Sequence, residues 1–283
     1  MKRYVEGART GLGRLLGDRK QVRFLQEELA EERRKVERLK DQNRHLKRRV
    51  QRSTRGGGGG RRVKVEKIHF GDFRRLDPIS REFGLDRGRP IDRYYIEGFL
   101  ARHAEDIGGR VLEIHDSAYT RKYGGERVAK RDVLDVDETN KQATIVADLT
   151  RAEDVPSDAF DCIICTQTLH FIYDIGTAFW TLRRILKPGG ILLATFPGIG
   201  QTSCQKLGER YCWALTKLAT RRLCEEVFAD ANVEIEAHGN VLAAVAFLEG
   251  LAVRELRKEE LDHHDPDYEL LISLRAVKPE AGL

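Results

Sequence analysis

The stretch Leu182-Arg-Arg-Ile-Leu-Lys187-Pro-Gly-Gly190-Ile-Leu-Leu-Ala194 decides the fold of this 283-residue chain. The sequence predicts a helix over residues 174–186 that ends here, because Pro188 cannot continue a helix and glycine readily adopts the left-handed turn that follows. A buried strand over residues 191–196 comes directly after the turn. A helix, a tight turn and a strand of these lengths complete one βαβ unit.

Outward from this unit, short apolar runs alternate with helical patterns. Such alternation is typical of a parallel sheet with crossover helices. The last run differs, because residues 268–277 alternate in the manner of an antiparallel strand with unequal faces. The sequence therefore predicts an α/β fold with strands over residues 110–114, 133–137, 143–147, 160–165, 191–196, 233–237 and 268–277, and helices over residues 92–103, 174–186, 220–228 and 241–251.

The first 62 residues differ in composition from the rest of the chain. They carry a net charge of +12, whereas the remaining residues carry −7. Between Val22 and Val50 a seven-residue repeat of mostly apolar side chains predicts a basic, helical coiled-coil arm over residues 1–55. Five consecutive glycines then end any helix, so we interpret residues 56–62 as a flexible linker and residues 63–283 as the main domain.

Two arrangements of the arm stay open. Asn43 in the apolar repeat favours a parallel homodimer through residues 22–50, but Lys35 would meet Lys40 of the partner helix and repel it. The alternative is a single helix that lays its apolar stripe on the main domain or on a partner protein. The positive charge of the arm could also meet phosphates. The acidic main domain disfavours a nucleic-acid groove, so we expect nucleic acid not to be the partner.

The sequence lacks a membrane-spanning segment, a secretory signal and a metal-binding motif, and these features bear on where the protein is located and on whether it binds a metal. No apolar run reaches the length of a membrane span and the N-terminus lacks a secretory apolar core, so we expect a cytoplasmic protein without a membrane span. The five cysteines fit reduced thiols, and the pair Cys162 and Cys165 lacks a second pair at zinc-finger spacing. Adjacent Asp-His-His-Asp side chains at 262–265 rarely point at one centre. We predict no metal site.

Three motifs resemble the class I S-adenosylmethionine-dependent methyltransferase family. They are the helix, turn and strand quoted above, the strand Val111-Leu-Glu113-Ile114, and the segment from Phe160-Asp161-Cys-Ile-Ile-Cys165 to Thr166-Gln167-Thr-Leu-His170. The resemblance covers about residues 90–278. It implies a Rossmann-like methyltransferase fold with a seven-stranded sheet whose last strand is antiparallel, and S-adenosylmethionine as the cofactor.

The resemblance also implies cofactor contacts at the carboxyl ends of the first four strands, where ligands bind open parallel sheets. Glu113 closes the first strand. Asp137, with Asp135 as its rival, stands where the family binds the ribose hydroxyls, and Asp148 stands where it contacts the adenine amino group. Gln167 follows the fourth strand. Each aspartate could instead cap a turn or a helix.

The loop after the first strand departs from the family pattern. The family has Gly-x-Gly-x-Gly here, whereas this chain has Ile114-His115-Asp116-Ser117-Ala118-Tyr119-Thr120 and its next glycines are 124 and 125. Side chains therefore stand where the backbone should approach the methionine part of the cofactor. We expect binding to be retained, with contacts from His115, Asp116, Ser117 and Tyr119; a weakened site is the alternative.

His170 is the candidate general base for an oxygen nucleophile, since a neutral imidazole works near pH 7. It could instead cap the next helix, and Tyr173 and Trp213 could line an acceptor pocket or simply pack. The Asn/Asp-Pro-Pro-aromatic motif of enzymes that methylate base amino groups is missing. The sequence therefore predicts O-methylation of a glycan or small-molecule acceptor. A non-catalytic domain that assembles through its arm is the competing hypothesis.

Overall fold

A seven-stranded mixed sheet organises the described part of the computed structural model, which comprises residues 71–202, 211–228 and 233–280. The strand order is β3-β2-β1-β4-β5-β7-β6. Strands β1 to β5 are parallel, and β7 is antiparallel to both of its neighbours. The predicted sheet with an antiparallel last strand is confirmed. The strands are β1 (Gly109–Ile114), β2 (Val128–Asp135), β3 (Ile145–Val146), β4 (Phe160–Thr166), β5 (Leu186–Pro197), β6 (Val233–His238) and β7 (Leu271–Val277).

The chain divides into two units between Phe70 and Gly71, and the described residues belong to the second. The predicted arm over residues 1–55, its coiled coil over residues 22–50 and the linker over residues 56–62 lie outside the described residues. Within the described ranges, no helix is both long enough and apolar enough to cross a membrane.

The central strands are buried on both faces, which explains why their sequences are continuously apolar. Along β4, Ile163 packs into the core on one face and Ile164 into the core on the other. Burying one such side chain stabilises the fold by about 1.5–3 kcal/mol. Helices α2 (Ile175–Ile185) and α3 (Lys217–Phe228) cover the first face, and helices α1 (Ile91–Arg102), α4 (Val241–Leu248) and α5 (Lys258–Asp262) cover the second.

The turn that opens β5 has the predicted construction. Phe160 of β4 pairs with Leu186 but Cys162 pairs with Ile191, so residues 187–190 bulge out of the ladder. Gly189 lies in the left-handed region with φ +75°, and a Cβ on Gly190 would come within 2.8 Å of a backbone carbonyl oxygen. Both positions therefore need glycine.

Element boundaries differ from the predictions at several places; the fifth strand begins at Leu186 instead of residue 191, and the helix predicted from residue 220 begins at Lys217. The second strand runs over Val128–Asp135 instead of residues 133–137, because its polar first half is held by pairing with β1 although it is largely exposed. The third strand shortens to Ile145–Val146, the fourth helix ends at Leu248, and the last strand begins at Leu271. Because β2 ends at residue 135, the acidic residue that closes this strand is Asp135, not Asp137.

Candidate active site

The order of the strands places the candidate site. Strand order reverses between β1 and β4, and the carboxyl ends of these parallel strands meet at one edge of the sheet. Ligands bind open α/β sheets outside such a reversal point. Glu113 lies near the end of β1, the other predicted site residues lie in the loops after β1, β2, β3 and β4, and the structure brings these loops to that edge.

Glu113 shapes the loop after β1 from inside the protein. Its side chain is buried, and its two carboxylate oxygens accept hydrogen bonds from the backbone N–H groups of Tyr119 (3.0 Å) and Thr120 (2.7 Å). Burial raises the pKa of Glu113 above its ordinary value, although the hydrogen bonds oppose this. Both oxygens are committed to the loop, so Glu113 acts as its internal anchor.

The side chains that replace the expected glycines occupy different environments. His115 adopts the left-handed conformation with φ +76° and is exposed, whereas the side chains of Ser117 and Tyr119 are buried. Asp116 accepts a hydrogen bond from the backbone N–H of Ala118 at 2.7 Å. The loop therefore keeps a glycine-like backbone conformation at its first position while a tyrosine ring fills space at its end.

Arg93, at the start of α1, reaches this loop. Its guanidinium donates a hydrogen bond to the Tyr119 hydroxyl and lies 5.6 Å from the centre of the Tyr119 ring. The arginine was not among the predicted site residues, because α1 precedes the motifs and a cation near a helix start is ordinary. It places a positive charge beside the altered loop.

Asp135 is the buried carboxylate at the end of β2. Its Oδ2 contacts His115 Nδ1 at 2.9 Å and accepts a hydrogen bond from Asn140 Nδ2 at 2.6 Å, and its Oδ1 accepts one from the N–H of Asp137 at 3.0 Å. Burial opposes ionisation, but these hydrogen bonds prevail and hold the pKa of Asp135 below its ordinary value. Asp135 ties the loops after β1 and β2 together.

Asp137 and Asp148 lie beyond the ends of β2 and β3, and both side chains are exposed. Each accepts hydrogen bonds from the backbone N–H and the hydroxyl of a threonine two residues later: Thr139 at 2.8 and 2.7 Å, and Thr150 at 2.8 Å for both. The two aspartates therefore share one local geometry. Each turn fixes a carboxylate at the edge of the sheet.

The loop after β4 contains Gln167 and His170. Gln167 has φ +48°, and its N–H donates to the carbonyl oxygen of Thr195 at 3.1 Å. His170 lies in a short 3₁₀ turn, is only 4 % exposed, and its Nδ1 has no hydrogen-bond partner among the described residues. Burial lowers the pKa of His170 to about 4. The imidazole is therefore neutral at pH 7, but it is a weaker base than an exposed histidine.

Aromatic side chains surround His170. Phe171 and Tyr211 contact its ring, with centroids 3.9 and 4.9 Å away. Trp213 stacks on the exposed Tyr173 at 5.8 Å, and the Trp213 indole N–H donates to the carbonyl oxygens of residues 172 and 173. Tyr173 and Trp213 thus pack on each other while leaving the Tyr173 ring open to solvent.

The sequence comparison identifies the domain. Residues 96–194, from within α1 to within β5, match a protein-family model described as "Methyltransferase domain". The match covers about a third of the chain and indicates a methyltransferase domain over these residues. S-adenosylmethionine is the cofactor of this family.

Solved structures similar to this chain include several methyltransferases. An S-adenosylmethionine-dependent methyltransferase from Mesorhizobium loti has 18% identity and a TM-score of 0.45, with 69% of this chain and 100% of that chain covered. One from Archaeoglobus fulgidus has 13% identity, 66% and 94% coverage and a TM-score of 0.45. The N-methyltransferase NodS from Bradyrhizobium japonicum, solved with S-adenosylhomocysteine, has 18% identity, 68% and 90% coverage and a TM-score of 0.43. A search of curated proteins gave no match.

The donors at this edge of the methyltransferase domain fit the cofactor of the family. Asp137 and Asp148 offer exposed carboxylates, which suit ribose hydroxyls and an adenine amino group. Arg93 offers a guanidinium, which suits the carboxylate of a methionine moiety. The buried ring of Tyr119 is the feature that fits least, since it occupies space beside the loop.

The two alternative metal motifs have other roles in the structure. Cys162 and Cys165 are free, buried, and packed into cores on opposite faces of the sheet. The carboxylate of Asp262 binds Tyr94 and Lys258. Within the described ranges, no group of three or more His, Cys, Asp or Glu residues is placed to hold a metal ion.

A cleft of about 820 Å³ between α1, α5 and β6 is separate from the predicted site. Its lining mixes three histidines, including His238, with paired acidic and basic side chains, and contains none of the predicted site residues. Two of its arginines are already bonded to glutamates, Arg89 to Glu97 and Arg102 to Glu236. The loops at the sheet edge, not this cleft, carry the features of a methyltransferase site.

Proposed function

We propose that this protein transfers a methyl group from S-adenosylmethionine to a hydroxyl oxygen of a small molecule or glycan. The observation that carries the proposal is the loop after β1. Its first position has the left-handed backbone conformation that glycine adopts most readily, although the residue is His115. Glu113 anchors the far end of the loop through two backbone N–H groups. A loop held so firmly without glycine supports a retained cofactor site.

The proposed cofactor contacts are divided by role. Asp137 binds the ribose hydroxyls, Asp148 the adenine amino group, and Arg93 the methionine carboxylate. Gln167, whose backbone N–H is bonded to Thr195, offers its side-chain amide to the cofactor. The loop residues at 115–117 and 119 surround the methionine part, and Glu113 acts through the loop that it anchors.

Methyl transfer requires little from the protein beyond positioning the cofactor and the acceptor. When bound, S-adenosylmethionine supplies an electrophilic methyl group on a positively charged sulfur. His170 accepts the proton that leaves the acceptor hydroxyl and passes it to solvent. Because burial lowers the pKa of His170 to about 4, this base is weak, and most of the acceleration comes from positioning and desolvation. A cytoplasmic setting remains part of the proposal.

Calorimetric titration of the full-length protein with S-adenosylmethionine and S-adenosylhomocysteine tests the proposal. We expect micromolar binding by the wild type and a loss of about tenfold or more in Asp137→Asn, since a charged hydrogen bond contributes about 1.5–3 kcal/mol. Glu138→Gln is the matched control, because it removes the same charge from the adjacent exposed residue. No binding by the wild type at millimolar cofactor would contradict the proposal.

A non-catalytic role is the second candidate, and the buried side chains of Ser117 and Tyr119 favour it. They lie where the family's backbone approaches its cofactor. In that case the protein would act as a scaffold and bind a partner, or a second copy, through residues 22–50. The same titration separates the two functions, because the scaffold predicts no cofactor binding.

A further inference from the structure

Two buried polar atoms without partners lie beside the loop that follows β4. One is Nδ1 of His170, and the other is the hydroxyl oxygen of Tyr211. Neither has a hydrogen-bond partner in the part of the chain that the structure describes. The two rings contact each other, with centroids 4.9 Å apart and planes inclined by 57°. Leaving a buried donor or acceptor unpaired is unfavourable, so two such atoms on rings in contact need an explanation.

Backbone contacts fix this pair at the reactive edge of the sheet. The carbonyl oxygen of His170 accepts hydrogen bonds from the N–H groups of Cys212 (2.9 Å) and Trp213 (3.1 Å). The Tyr211 hydroxyl lies 3.6 Å from where a Cβ on Gly200 would stand, just beyond the end of β5. The pair therefore sits at the ends of β4 and β5, beside the position where strand order reverses.

We propose that His170 and Tyr211 together bind the hydroxyl group of the acceptor. Tyr211 donates its O–H to the acceptor oxygen, and Nδ1 of His170 accepts the hydrogen bond from the acceptor O–H. This inference rests on the proposed function, since it names the part of the site that holds the substrate. Tyr211 thereby becomes a substrate-binding residue that the sequence motifs do not reveal.

The ionisation of the two rings suits an uncharged hydroxyl. Burial lowers the pKa of His170 to about 4 and raises the pKa of Tyr211 to about 12. At pH 7 the pair therefore offers an unprotonated ring nitrogen and an intact phenol O–H. A hydroxyl, which is both a donor and an acceptor, satisfies both. The same pair would not compensate the charge of a carboxylate or an ammonium group.

The neighbouring aromatic surface indicates that the hydroxyl belongs to a ring. Tyr173 is 80% exposed and is stacked on Trp213, whose backbone N–H is bonded to His170. A flat exposed ring next to a hydroxyl site can cover the apolar face of a phenol or of a sugar. We therefore assign the acceptor to ring compounds with a hydroxyl, and the experiment below separates the two sources.

Thermal unfolding of two tyrosine variants tests whether the Tyr211 hydroxyl is unpaired. Tyr95→Phe is the matched control, because the Tyr95 hydroxyl donates to the carbonyl oxygen of Leu261 at 2.9 Å. We expect Tyr95→Phe to lower Tm by about 2–4 °C and Tyr211→Phe to leave Tm unchanged or raised. A decrease in Tyr211→Phe equal to that in Tyr95→Phe would mean that the hydroxyl already has a protein partner, and would overturn the inference.

Probe binding to the full-length protein tests the ligand directly. Catechol and methyl α-D-glucopyranoside are titrated with and without saturating S-adenosylhomocysteine, beside their fully O-methylated ethers. We expect one hydroxylated probe to bind and Tyr211→Phe to weaken it about tenfold, with the ethers unaffected by the substitution. The probe that binds identifies the ring class.

Two outcomes of this titration overturn the inference: neither hydroxylated probe binds, or Tyr211→Phe binds them as the wild type does. We expect the affinity for S-adenosylhomocysteine to be equal in the wild type and Tyr211→Phe. Failure of the wild type to bind S-adenosylhomocysteine would count against the proposed function. The probe titration without cofactor would still decide the role of Tyr211.

Discussion

Two turns at opposite edges of the sheet hold a residue in almost the same left-handed backbone conformation. In the turn that opens β5 the residue is Gly189, with φ +75°, and in the loop after β1 it is His115, with φ +76°. Glycine adopts this conformation readily, whereas for a residue with a side chain the conformation costs about 1–2 kcal/mol of folding free energy. The turn away from the candidate site is unstrained, and the loop within the site is strained.

The strained residue has side-chain support that a glycine cannot have, whereas the backbone N–H of each residue is hydrogen-bonded, that of Gly189 to the carbonyl oxygen of Lys278. The His115 ring contacts the carboxylate of Asp135 at 2.9 Å, and its N–H donates to the carbonyl oxygen of Leu134 at 2.9 Å. Glu113 holds the other end of the same loop. Backbone strain of this kind persists where the surroundings enforce it, and it concentrates at functional sites. The comparison indicates that hydrogen bonds, not glycines, shape the loop after β1.

The largest effect is expected when the internal anchor of the loop is removed. Glu113→Ala leaves two buried backbone N–H groups without an acceptor, and each such loss costs about 1–3 kcal/mol. We expect urea unfolding to show a net destabilisation of about 3 kcal/mol. Glu105→Ala is the control, because Glu105 is an exposed glutamate that makes a long ion pair with Arg127. Equal stabilities of the two variants would show that Glu113 does not anchor the loop.

An intermediate effect is expected at the glycine turn. In Gly189→Ala the added Cβ meets the Glu280 carboxylate, which can move aside, so the left-handed backbone sets the cost. We expect a destabilisation of about 1–2 kcal/mol in the same urea experiment, with no change in cofactor affinity. A loss of cofactor binding would contradict the view that this turn is separate from the site.

The comparison of these turns also shows how much of the fold the sequence could predict. The turn at 187–190 follows from local rules, because proline stops a helix and glycine supplies a left-handed residue. The buried strand β4 follows from its uninterrupted apolar run. The first half of β2 could not be predicted in this way, since residues 128–132 are mostly polar or exposed and only pairing with β1 makes them a strand.

The candidate site was less predictable, because it depends on contacts between distant loops. The sequence offers both Asp135 and Asp137 near the end of β2. Only the fold shows that Asp135 is buried against His115 while Asp137 lies exposed beyond the strand. Arg93 and Tyr211 lie outside every motif, and folding alone brings them to the loops after β1 and β4. The sequence signal nearest to Tyr211 is Trp213, two residues later, which could line an acceptor pocket.

A smaller effect is expected from two substitutions at His115, compared with each other. Both variants lose the contact with Asp135. His115→Ala keeps a residue with a side chain in the left-handed conformation, whereas His115→Gly removes the backbone strain of that conformation. We expect the alanine variant to be less stable than the glycine variant by about 1 kcal/mol in urea unfolding. The difference should resemble that between wild type and Gly189→Ala. Equal stability of the two His115 variants would mean that the loop relaxes and carries no strain.

The smallest effect concerns pH and the carboxylate behind His115. Hydrogen bonds hold the pKa of Asp135 below its unfolded value of 3.8, despite burial, so its stabilisation is complete above about pH 4 and is lost as pH falls through the folded pKa. We expect the stability difference between wild type and Asp135→Asn to shrink as the pH falls below 3.8. A constant difference for Asp135→Asn down to pH 2.5 would show that the shape of the side chain, not its charge, supports His115.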